Sequence, residues 1–333
     1  MTKDLNTVDT SSTYVLICIL TIWMHLIGGV SRATTTKILK FIEIIINTSF
    51  HTNQELESQS TIPISYDVHT AMSSLSIEPQ IIWNICYPKC FHHYPLNSLS
   101  ETYSWRESPQ SKRYGEKLWT RHSTQSSLKV VPYQLYTTED FKSWLEFFLS
   151  HLGIEDLIDL FYQHCSPETI VMNDIWDSPA WRSIGLFTTT AENLTFSFFI
   201  DWFNPFMNKT AEKMVSCGVI MIFCLNLPYH LHHKSQNTFF AGITPLSYEP
   251  WVTTITALLD PIIDQLCHFH YGVIVHTHCY PEDIMKCIGI LVLIGNLPAI
   301  CKALGFAGIA SLYHFCSFCS LGRLDIESLD IDL

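Results

Sequence analysis

Apolar and polar positions divide the chain into a front part with helical spacing, a long polar stretch, and a back part with strand-like runs. Residues 14–30 read YVLICILTIWMHLIGGV, 17 residues whose polar interruptions are Thr21 and His25. A membrane-crossing helix needs about 20 apolar residues, so the run predicts a buried helix, with a membrane segment as the alternative. Ser31 is placed to cap a second helix whose apolar positions include Ile38, Phe41, Ile42 and Ile45, three and four apart. Two packed core helices account for this pattern. A helix-turn-helix, two helices joined by a Gly-containing turn, is the alternative for residues 1–50.

Residues 51–135 are rich in Ser, Thr and Gln and predict an irregular linker. A helical hairpin is predicted over 139–163: Thr138 precedes Glu139 and Asp140, Phe141, Trp144, Leu145, Phe148 and Leu149 form an apolar stripe, and Gly153 separates the second helix. Strand-like runs follow at 194–200, 217–225 and 238–243, then an amphipathic helix at 253–268. The run at 288–294 is continuously apolar, as in a strand buried on both faces, and leads through Gly295, Asn296 and Pro298 into a helix at 299–304. Strands followed by helix, strand and helix make a mixed α/β (α+β) fold, preceded by a mainly helical N-terminal region. That order suits a ribonuclease-H-like domain.

Composition narrows the function. Hydrophobic residues are 47% and charged residues only 15%, against a usual share of about 25% charged. The chain therefore has enough apolar surface for real cores and a tendency to self-associate, so a homo-oligomer is expected. Its net charge of −12 counts against strong autonomous DNA binding, which relies on basic patches. Residues 323–333 form an acidic tail, expected to be solvated. Twelve cysteines without a clean secretory signal indicate a reducing compartment.

Several residues could carry chemistry. Asp201 closes an apolar strand, where a carboxylate either caps the following turn or ligates a metal. Cys316 and Cys319 have the spacing of two thiolates on one tetrahedral zinc ion, with His314 and Cys301 as local partners; a plain pair of buried cysteines is the alternative. Cys86 and Cys90, with His92, His93 and His122, present the same choice between zinc and a metal-free remnant. The histidines at 230–233, 268–270 and 276–278 form no recognisable ligand set. No Gly-rich phosphate loop and no Gly-x-Ser-x-Gly elbow occurs, so no nucleotide cofactor is expected.

Seven segments in order carry a family resemblance: Asp174-Ile-Trp-Asp-Ser-Pro-Ala-Trp181, Asp201-Trp-Phe-Asn-Pro-Phe206, Cys224-Leu-Asn-Leu-Pro228, Ala241-Gly-Ile-Thr-Pro245, Asp260-Pro-Ile-Ile-Asp264, Gly295-Asn-Leu-Pro-Ala299 and His314-Phe-Cys-Ser-Phe-Cys319. Together they resemble the transposases of the CACTA (En/Spm-type) group, in particular the basidiomycete fungal forms. The resemblance implies a ribonuclease-H-like catalytic domain, here a truncated one over 170–322, with a DDE/D carboxylate set that binds Mg or Mn. It assigns the first carboxylate to Asp201 and the second to the position of Asn296, where an amide replaces the acid. The third is expected beyond the Cys316–Cys319 pair. A degenerate zinc knuckle within 51–135, DNA as the ancestral partner and a nuclear location are further implications, as is loss of catalysis.

Overall fold

The computed structural model describes residues 12–27, 29–51, 67–75, 77, 79–87, 89–97, 106, 109–112, 115, 117–123, 128–164, 171–172, 174–204, 216–244, 249–308 and 311–313. They fall into two units, divided after Pro79.

In the first unit, α1 (Ser12–Ile22) runs into a π-helical turn (Trp23–Ile27), and α2 (Arg32–His51) and α3 (Val68–Ser74) follow. The apolar run at 14–30 is thus not one continuous helix. Thr21 turns its hydroxyl back onto the Ile17 carbonyl (2.7 Å), which satisfies a buried polar group within the helix. Ser31 accepts from the Thr34 amide (3.2 Å) and so caps α2, as its position predicts. Ile17, Met24 and Leu39 form the buried cluster, with Ile38 and Ile42 against it. Phe41 and Ile45, expected to face inward, are exposed because the helix turns Leu39 to the core instead. No helix among the described residues is long and apolar enough to cross a membrane.

The second unit is built on an eight-stranded sheet and a separate hairpin. Its strands are β1 (Ile81–Cys86), β2 (His93–Pro95), β3 (Trp119–Ser123), β4 (Leu128–Pro132), β5 (Leu135–Glu139), β6 (Asn193–Phe203), β7 (Cys217–Cys224), β8 (Thr238–Ile243), β9 (Val273–Val275) and β10 (Ile284–Ile294). The sheet order is β2-β1-β5-β8-β7-β6-β10-β9, while β3 and β4 pair with each other. Every neighbouring pair is antiparallel except β6 and β10. Four strands therefore lie inside the span expected to be an irregular linker. Their half-polar sequences alternate too weakly to announce strands: β3 and β4 hold each other, β2 pairs only with β1, and β1 takes its second partner from β5, farther along the chain, with Trp83 on Thr137.

Helices α4 (Phe141–Ser150) and α5 (Ile154–His164) form where the hairpin is predicted. Asp140 caps α4 by accepting from the Ser143 amide (2.8 Å), while Thr138 and Glu139 belong to β5 rather than to the helix start. Short helices α6 (Pro179–Ser183), α7 (Leu186–Thr189) and α8 (Tyr229–His232) occupy connections. The amphipathic helix is α9 (Thr256–His270), and the last is α10 (Leu297–Leu304). Phe141, Trp144 and Phe148 of α4 meet Phe196, Ile222 and Phe239 of the sheet and Leu259, Ile262 and Phe269 of α9 in the main core. Val292 pairs with Ser197, which alternates with Phe196 and Phe198, so it points to the other face. There it joins Phe161, Trp181 and Leu225 in a second cluster. β10 is mostly half-buried, not buried on both faces as its apolar run suggests.

Candidate functional site

Asp201 and Asn296, 95 residues apart in the chain, meet at one corner of the sheet. The parallel register that pairs Ile294 with Phe199 carries Gly295 to Ile200 and Asn296 to Asp201. Gly295 makes this approach feasible, since a Cβ there would lie 2.5 Å from the Ile200 carbonyl oxygen. Asp201 does not end its strand, as its position suggests; β6 continues to Phe203. The Asp201 carboxylate accepts from the Trp202 amide (2.8 Å) and from the Asn296 side-chain amide. The Asn296 carbonyl oxygen accepts from the Ala299 amide (2.9 Å) and caps α10. Asn296 thus spends its one cation-binding atom on a helix cap and turns its NH2 toward the carboxylate. A two-metal centre needs several anionic oxygens free to face the ions. This pair does not offer them, and the residues present do not fit Mg or Mn as a catalytic centre.

Next to this corner, Trp202 carries the Lys302 ammonium 5.2 Å above its ring, and Lys302 pairs with Glu249. Neither Lys302 nor Glu249 stands out in the sequence; what ties them together is the turn of α10 that faces back over β6.

The other candidates separate. Cys86 packs with Phe91, Tyr136 and Leu258, whereas Cys90 packs with Ile85, Tyr87 and Leu118. Burial pushes the Cys86 thiol well above its usual range. His92 is exposed, His93 is half-buried, and His122 lies in β3. Cys316, Cys319 and His314 lie outside the described residues, and Cys301 is buried in α10. Among the described residues, no group of three or more His, Cys, Asp or Glu is set to hold a metal ion. The histidine pairs serve local structure: His232 bonds the Leu227 carbonyl (2.5 Å), His270 that of Ile288 (3.1 Å), and His276 pairs with Asp283 (2.5 Å).

The segments that begin at Asp174 and Cys224 make structural bonds. Asp174 and Asp177 close a capping box, Trp176 donates to the Leu225 carbonyl (2.6 Å), and Asn226 accepts from the Thr195 amide (2.6 Å). Compared with protein-family models and with curated proteins, the chain matches none.

Proposed function

We propose that this chain derives from a DNA transposase of the CACTA group and that its ribonuclease-H-like core no longer supports metal-dependent cleavage and transfer of DNA strands. The strand order β8-β7-β6-β10 supports the fold half of this reading: an antiparallel meander whose first strand gains a parallel neighbour after a helix. Asp201 in β6 and Asn296, just past the end of β10, are hydrogen-bonded neighbours, which supports the resemblance's assignment of the first two carboxylates to these positions. The observation that carries the loss of activity is the Asn296 amide bound to the Asp201 carboxylate. Purified full-length protein with Mg²⁺ or Mn²⁺ and terminal-repeat DNA is expected to show no nicking. Cleavage that disappears in Asp201→Ala would overturn that expectation. Ancestry is tested separately in the genomic DNA flanking the gene, where terminal repeats are expected on both sides.

A second reading, a non-catalytic binding module, is favoured by the first unit, where Trp23, Phe41 and Ile44 are exposed. With a net charge of −12, an apolar protein surface such as a second copy is a better partner for these residues than DNA. Sedimentation should show concentration-dependent self-association that Trp23→Lys weakens; a monomer at all concentrations removes this reading.

A further inference from the structure

On the α9 side of the sheet, β1, β2, β5 and β8 enclose a cavity of about 290 Å³ together with that helix. Two polar atoms that reach no partner belong to its wall: the Tyr136 hydroxyl and His93 Nε2. Tyr136 is 1% exposed, and its ring stacks on that of His93 with centroids 4.5 Å apart. Gly242 leaves room for the phenol, because a Cβ there would collide with the Tyr136 hydroxyl. A buried hydroxyl or ring nitrogen without a hydrogen bond costs about 1–3 kcal/mol, and such groups in a folded protein call for an occupant.

The geometry points to this cavity as a binding site for a small uncharged nitrogen heterocycle, of nucleobase size, that offers both a hydrogen-bond donor and an acceptor. Ile82, Phe239, Ala241 and Ile262 supply apolar walls, which suit the faces of a flat ring. Asn84 and Gln265, whose amides both donate and accept, join the polar pair at the edges. The volume lies at the lower end of ligand pockets, roughly 300–1,000 Å³, which limits the ligand to one or two rings. Burial lowers His93 to about 4 and raises the Tyr136 phenol, so both are neutral near pH 7, and it raises Glu139, also on the wall, to about 7, so that below this pH no wall group selects an ion. The site lies away from the Asp201 corner and is independent of the transposase reading.

The test is calorimetry on the full chain with benzimidazole and with adenine, repeated on Tyr136→Phe and Ala241→Leu. At least one probe should bind with a dissociation constant below roughly 1 mM. Tyr136→Phe, which removes only a partnerless hydroxyl, should keep the thermal midpoint of the ligand-free protein or raise it. The same variant should weaken binding about tenfold, the worth of one hydrogen bond. Ala241→Leu fills the cavity and should abolish binding. If neither probe binds, the cavity holds water only and the proposal is wrong. Equal affinity in all three proteins overturns it as well, because the ligand then sits elsewhere.

Discussion

At the Asp201 corner, Oδ1 of Asp201 and both polar side-chain atoms of Asn296 are bonded to one another or to the backbone; in the cavity under α9, two buried polar atoms on the wall are bonded to nothing. The first arrangement resembles an active site by position, but its Asn296 amide is used up on a helix cap and on the carboxylate beside it. The second has no motif to announce it, yet two buried groups on one wall have unmet bonding capacity. Chemistry needs atoms that the fold has not already used, so satisfaction of polar groups separates a former site from a usable one.

The largest expected effect comes from breaking the corner at its hinge. In Gly295→Ala the new Cβ would meet the Ile200 carbonyl, a backbone atom that cannot swing aside. Separating β10 from β6 at that point should cost about 3 kcal/mol, the upper range for overpacking, read from urea denaturation. Tyr136 and His93 lie on the far strands of the sheet, so the cavity should keep its ligand response at temperatures where the variant is folded. Loss of that response together with stability would mean that the two regions are one cooperative element.

A smaller effect sharpens the contrast. Asn296→Asp keeps the cap on α10, since Asp and Asn cap about equally well, but puts two carboxylates in contact. Without metal the variant should lose about 1 kcal/mol, and Mn²⁺ should restore it while leaving the unmodified protein unchanged. Strand cleavage should not return. An unmodified protein that Mn²⁺ stabilises as much as the variant would show that the corner is not closed by its amide.

How much of this was readable in advance follows the same division. The parts of the corner were legible locally, since Gly295, Asn296 and Pro298 open a helix and Asp201 follows an apolar run, but the meeting of two residues 95 positions apart was implied only by the family resemblance. The helices α4 and α5 were legible from their apolar spacing. β1, β2 and β5 were not, because strands such as Leu135-Tyr-Thr-Thr-Glu139 take their identity from distant partners. The cavity rests on those strands, so His93 could be named only as a zinc partner for Cys86 and Cys90. Its stacking on Tyr136 depends on a register that brings β2, β1 and β5 together.

The smallest expected effect is a near absence of one. Glu139 lines the same cavity, and burial raises its carboxyl to about 7, while the same cause lowers His93 to about 4. For Glu139 the unfolded chain loses its proton first, from about 4.5, so its stabilising contribution is full below that pH and is lost as the pH rises through 7. For His93 the unfolded chain gains its proton first, below about 6.5, so the contribution is present above that pH and is lost as the pH falls through 4. Between 4.5 and 6.5 the two slopes oppose each other, and together they should leave stability nearly flat. Each single variant uncovers one limb. In Glu139→Gln, stability should rise with pH from 4 to 6.5; in His93→Gln, it should fall from 4.5 to 7. Denaturant midpoints measured across pH 4–8 distinguish these slopes, and a flat profile in both variants would mean that the cavity is wet enough to leave its groups at their ordinary values.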